Sequence, residues 1–166
     1  LLADGREGVA WQRLFGTPIA AMPFEAVSFM AYTSLFEGYS RGLISRRVAT
    51  TLLTQTAQAA HGQWGARASM SLGTVGGGAL GDERPYRSVV ELAEDVALAQ
   101  ACGVQDLALF DLSGVLGQTD PEAWIHAFVA TAAAARVPSA ARRARLLRAA
   151  LKRGGSVLTW HRRREI

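Results

Sequence analysis

Residues 88–112 read SVVELAEDVALAQACGVQDLALFDL, and the fold is decided in this stretch. Ser88 and Glu91 have the S-x-x-E spacing of a capping box, in which each side chain satisfies a backbone N–H of the first helical turn. Val89, Leu92, Val96 and Ala99 then recur at helical spacing. Gly103 stands just past the expected helix end, where a left-handed backbone closes the last turn. After the glycine the period changes. Val104–Leu112, centred on Leu107-Ala108-Leu109-Phe110, is a short and mostly apolar run suited to a strand. Cys102, at the helix end among small apolar residues, reads as a buried structural thiol.

The same rhythm extends outward in both directions. Upstream, residues 24–32 form another apolar run, suited to a strand buried on both faces. Ser45 is placed to cap a helix running to Ala60, with Val48, Leu52, Leu53 and Ala57 on one side and Gly62 just after its end. A strand at 66–73 follows and leads into a glycine-rich loop over 73–81. Near the start, Trp11–Phe15 closes a short helix that Gly16 and Pro18 stop. Downstream, Asp120-Pro121-Glu122 supplies a capping acid, a proline at the first helical position and an acid in the first turn. The helix it opens is expected to put Trp124, Ile125, Phe128 and Val129 on one face.

Strand and helix thus alternate three times, the pattern of a parallel sheet with right-handed crossovers. Three parallel strands leave two unpaired edges, which calls for partner strands. The expected fold class is α/β: a partial (β/α) TIM-type barrel, about its last three strand–helix units, plus a basic C-terminal helix. Residues 1–135 are read as the C-terminal part of the barrel domain and 136–166 as a basic helical tail, in which Ser139 caps a helix through Lys152. The remainder of the barrel is expected upstream of Leu1.

Composition narrows the function classes. With 166 residues, 49% hydrophobic and 19% charged, the chain can build one globular core. The net charge of +4 is unevenly spread: residues 1–135 hold 8 arginines against 13 acids, whereas 136–166 hold 10 Arg and Lys against Glu165 alone. The basicity belongs to the tail, where a solvated outer helix with a disordered end is the better reading; weak contact with an anionic surface there stays open, and no specific nucleic-acid partner is expected. Asp4, Arg6 and Glu7 interrupt any secretory leader at the start, and an upstream secretion signal stays open. The uncharged stretch Val48–Ala66 is broken by Thr, Gln and His61, so no membrane span is expected. A single cysteine allows no internal disulfide and no thiolate cluster, and His61, His126 and His161 lack metal-ligand spacing, so neither metal nor cofactor is expected.

In parallel α/β folds ligands bind where strands end and βα loops gather. The first strand ends at Met30-Ala31-Tyr32-Thr33-Ser34 and runs into a loop carrying Glu37 and Tyr39. The second ends at Thr74, ahead of Asp82 and Glu83, and the third at Phe110-Asp111. Asp111 is the best carboxylate, since an acid closing an apolar strand is costly without a partner or a task. Its alternative is to cap the neighbouring loop. Residues 76–81 satisfy G-x-G-x-x-G, but the expected helix begins only at Ser88, so a flexible loop is the better reading.

Phe29-Met30-Ala31-Tyr32 resembles the sixth-strand M-x-Y-D motif of chitinase-like barrels, glycoside hydrolase family 18. Ser71-Leu72-Gly73 is similar to that family's seventh strand, and Gly103-Val104 through Phe110-Asp111 to its eighth. The resemblance spans roughly residues 20–130 and implies a sugar-processing barrel with Tyr32 touching the reacting sugar. Thr33 stands where the family has aspartate, and the family's eighth-strand tryptophan falls near Phe110 or Asp111. The fourth-strand D-x-x-D-x-D-x-E pattern, which holds the family's catalytic acid, does not occur in this chain. Three functions follow as expectations. The first is a glycoside-hydrolase-like barrel acting on or binding carbohydrate through Tyr32, Asp111, Glu37, Met30 and Phe110, without the main catalytic acid. The others are a non-catalytic barrel binding sugar or protein, and a phosphate-ligand barrel using the 73–81 loop.

Overall fold

The computed structural model describes residues 5–17, 19, 22–40, 43–77, 84–129, 146, 149–150 and 152–154. In order, α1 (Gly5–Leu14) is followed by β1 (Val27–Met30), α2 (Thr33–Tyr39), α3 (Arg46–Trp64), β2 (Ala68–Gly73), α4 (Val89–Ala101), β3 (Asp106–Phe110), α5 (Leu112–Leu116) and α6 (Pro121–Val129). The chain is mixed α/β with an open, parallel, three-stranded sheet in the order β1-β2-β3. Val27 lies beside Ala68, and Ser69 beside Asp106.

Each strand is shorter than the apolar run that announces it, because ladder pairing stops before hydrophobicity does. Nor is β1 covered on both sides, as its composition suggested. Val27 is buried and Phe29 partly so, while Ser28 and Met30 are exposed. The same alternation crosses the sheet. Val27, Phe29, Ala68, Met70, Leu72, Leu107 and Leu109 share the face that joins the core. The opposite face carries Ser28, Ser69 and Asp106 in one row and Met30, Ser71 and Ala108 in the next.

The core lies between the first face and the long helices. Leu53, Ala57 and Ala60 of α3 and Leu92, Val96 and Ala99 of α4 meet Met70 and Leu72, all of them essentially without exposure. Each large side chain among them contributes about 1.5–3 kcal/mol by leaving water. Helix α3 does not end at Ala60: it runs to Trp64, whose buried indole anchors one more turn, and Gly65 (φ 57°) closes it in place of Gly62. Gly103 (φ 92°) ends α4 as its sequence position requires. The capping box expected there does not form. Ser88 makes no side-chain cap bond, and Glu91 accepts from the Arg87 backbone N–H at 2.9 Å. Asp120 caps α6 through Ala123 N at 3.0 Å. That helix buries Trp124 and packs Ala127 and Phe128, whereas Ile125 and Val129 turn outward, because spacings of three and four from Trp124 define the inner face.

Most of the basic tail and residues 78–83 lie outside the described residues. Lys152, Arg153 and Gly154 are helical, and Gly154 packs against the Trp11 indole of α1. No described helix is long and apolar enough to cross a membrane.

Candidate functional site

The C-terminal ends of the three strands are bound into one edge. Val75 N donates to Phe110 O at 2.9 Å, and Ala31 N to Ser71 O at 3.0 Å, so the pairing continues one step past the strands. Gly73–Thr74 and Phe110–Asp111 are cis peptide bonds. Ser34, in the first turn of α2, spans the end of β2. Its hydroxyl donates to Gly73 O (2.9 Å) and accepts from Thr74 N (3.0 Å).

Over this edge the Tyr32 and Phe110 rings stack at 6.1 Å between centroids. Tyr32 hydroxyl lies 3.3 Å from Ser71 Oγ, which places the ring, itself only 9% exposed, over the sheet face opposite the core. Gly73 is the floor between the rings. A Cβ there would come within 3.1 Å of Phe110 Cβ and 3.4 Å of Tyr32 Cε1. Met30, 71% exposed, borders the pair, and Leu112 is exposed beyond it. Of the five residues singled out in the sequence, Tyr32, Phe110 and Met30 gather around Ser71 and Gly73 at the strand ends.

Asp111 adopts the capping role that was its alternative. Its Oδ1 accepts from Ser113 Oγ at 2.7 Å and from Gly114 N at 2.5 Å, opening the short helix α5. These bonds favour the charged form and hold its carboxyl below the ordinary range. Glu37 belongs to a different neighbourhood. It is buried in α2 and pairs with Arg87 at 3.3 Å and Arg84 at 3.9 Å, behind the turn that carries Tyr32. Burial pushes its carboxyl up, while Arg46 and Arg87 pull it back. Asp82 and Glu83 lie outside the described residues.

The largest polar feature was not anticipated. Asp95 of α4 has no exposed surface and receives Thr33 Oγ1 (2.5 Å), Tyr86 Oη (2.8 Å) and the Arg46 guanidinium (2.9 and 3.2 Å). Burial raises its carboxyl, opposed chiefly by Arg46 and then by the Thr33 and Tyr86 hydroxyls; the same burial, with Asp95 beside it, holds the Tyr86 phenol protonated. A signal for this was present. Asp95 follows Leu92 by three and precedes Ala99 by four, an acid on the buried stripe of its helix. Thr33 is likewise fully buried and turns toward Asp95.

Cys102 is partly buried against the core, which raises its thiol. Among the described residues no group of three or more His, Cys, Asp or Glu is placed to hold a metal ion. No family model, curated protein or solved structure matches the chain.

Proposed function

We propose that this chain is part of a (β/α)-barrel that binds or acts on carbohydrate at the mouth edged by Tyr32, Phe110 and Asp111. The barrel reading is supported by the strand order. A doubly wound sheet reverses direction at a switch point and carries helices on both faces. Here the order is sequential, the core helices meet one face, and the other face, which also carries Met30 and Asp106, is mostly small, with Ser28, Ser69, Ser71 and Ala108. Among the described residues, the outer edges of β1 and β3 have no strand partner, and further strands could pair there.

The observation that carries the functional reading is the stacked Tyr32–Phe110 pair at the strand ends where barrels bind ligands, with Asp111 next in the chain to Phe110. Phe110 and Met30 offer apolar surface to the C–H face of a sugar ring. The Tyr32 and Ser71 hydroxyls and Asp111 offer hydrogen bonds to its hydroxyls. The state of Asp111 favours binding over bond cleavage by these residues alone. Glycosidic hydrolysis needs a carboxyl that stays protonated, and Asp111 is held ionised. The general acid of an active enzyme would come from strands beyond these three.

Titration with β-1,4-linked N-acetylglucosamine oligomers, followed by aromatic NMR resonances, tests the reading. The Tyr32 and Phe110 signals are expected to shift on binding. Phe110→Ala is expected to abolish the response, and Asp111→Asn to weaken it. A wild-type spectrum unmoved by any of a panel of glycans would sink the proposal, and release of reducing sugar would mark turnover.

A further inference from the structure

We propose that Asp95 is a positioning residue for this mouth, acting through Thr33 to hold Tyr32 against Phe110. The inference rests on the reading of that ring pair as the site. An acid on the buried stripe of α4 is an expensive way to fill a core, since an apolar residue of similar volume serves stability at least as well. What an apolar residue cannot do is direct three donors. Those that Asp95 collects come from three separate segments: Thr33 at the turn after β1, Tyr86 on the chain returning from the loop after β2, and Arg46 at the start of α3.

Two of these segments are also joined to each other, so the bonds close into a circuit. From Asp95 it passes to Thr33, and along the chain to Ser34. The Ser34 hydroxyl grips Gly73 O and Thr74 N. Thr74 O accepts from Tyr86 N at 2.7 Å, and the Tyr86 phenol returns to Asp95. Every bond in the loop is 3.0 Å or shorter. Tyr32 immediately precedes Thr33, and Gly73 is the floor beneath its ring. The circuit thereby ties the backbone that carries one ring to the floor on which the pair stands. Arg46 braces the circuit at two of its members, donating to the Thr33 hydroxyl at 3.0 Å as well as to the carboxylate, and it contacts Glu91 O and Glu94 besides. The Asp95 carboxylate is fully satisfied, which favours one geometry for the groups around it, while Arg46 Nε in the same cluster is buried with no hydrogen-bond partner among the described residues.

The test reads ring placement directly, in the full chain and without ligand, as the nuclear Overhauser contact between the Tyr32 and Phe110 ring protons. Thr33→Val removes the one hydroxyl at nearly constant volume and is expected to lose the contact and shift the Tyr32 ring signals. Thr33→Ser is expected to keep both. Leu53→Val, a core variant that lowers thermal stability without touching the circuit, is expected to keep both as well. Tyr86→Phe removes a different donor from the same carboxylate and is expected to weaken the contact, which covers the case of Thr33→Val failing to fold. A wild-type ring contact in Thr33→Val or Tyr86→Phe overturns the inference, as does equal loss in Leu53→Val. Failure of the carbohydrate reading looks different: the wild type binds no glycan, yet the ring contact still follows Thr33.

Discussion

The Gly114 backbone lies directly against the carbonyl of Val75, with no room for a side chain between them. The turn after β3 and the turn after β2 are therefore in backbone contact, and Gly76 (φ 80°), next to Val75, also packs against Gly114. Neither neighbour is a flexible side chain that can swing away. Gly114→Ala is expected to destabilise the fold by about 3 kcal/mol, at the upper end of overpacking costs. Urea denaturation measures it, and an unchanged midpoint would show that the two turns separate freely.

Gly103 is constrained twice. Its backbone is in the left-handed region (φ 92°), and a Cβ would fall 2.8 Å from the His61 ring. His61 is exposed at the end of α3 and has somewhere to go, so the backbone conformation is the larger part of the cost. Gly103→Ala is expected to cost about 2 kcal/mol, and pairing it with His61→Ala to recover only a minority of that. A full recovery would assign the penalty to the ring instead.

Asp95→Ala is expected to destabilise the chain by about 3 kcal/mol, since it removes the buried anionic partner of Arg46 and the acceptor of the Thr33 and Tyr86 hydroxyls. The Arg46 side chain retains 21% exposure, and water offsets part of the loss. Asp95→Leu combined with Arg46→Met is expected to be milder than Asp95→Ala alone. Equal costs, read from thermal unfolding, would show that the pair is not coupled.

Glu37 and Asp111 are expected to give opposite pH dependences. Burial holds Glu37 above its ordinary 4.5, so its contribution is complete below that value and is lost as pH rises through the higher folded pKa. Hydrogen bonds from Ser113 and Gly114 hold Asp111 below its ordinary 3.8, so its contribution is present above that value and is lost as pH falls through the lower folded pKa. Thermal midpoints from acid to neutral pH, for the wild type against Glu37→Gln and Asp111→Asn, check both signs. Relative to the wild type, the first variant should gain as pH rises above 4.5, and the second should gain as pH falls below 3.8. Difference curves sloping the same way would refute the assignment.

Much of this architecture was legible in the sequence, because apolar period and turn chemistry act locally. Helix α4 with Gly103 at its end, the Asp120 cap, and the three strand positions follow from that alone. What escaped was set by tertiary contact. Helix α2 has no sustained apolar stripe and contains Gly38, which packs against Arg84; its order comes from Thr33, Ser34 and Glu37 bonding to distant residues. Glu37 looked like an acid free to face the opening until Arg84 and Arg87 came back to meet it. Asp95 was passed over because helical polar positions are usually solvated, and only the partners 62 and 9 residues away show why it is not.

The parallel sheet also carries a kinetic consequence. Val27 meets Ala68, and Ser69 meets Asp106, so each pairing spans about forty residues, and the Thr33 hydroxyl reaches 62 residues ahead to find its acceptor. Every such closure costs chain entropy before its contacts repay it, which slows folding relative to a helical bundle of equal length. During synthesis the turn beside Tyr32 stays without its anchor until α4 has left the ribosome. Maturation of the mouth is thus a late event, because the Asp95 anchor of that turn and the ring partner Phe110 both lie far downstream of Tyr32.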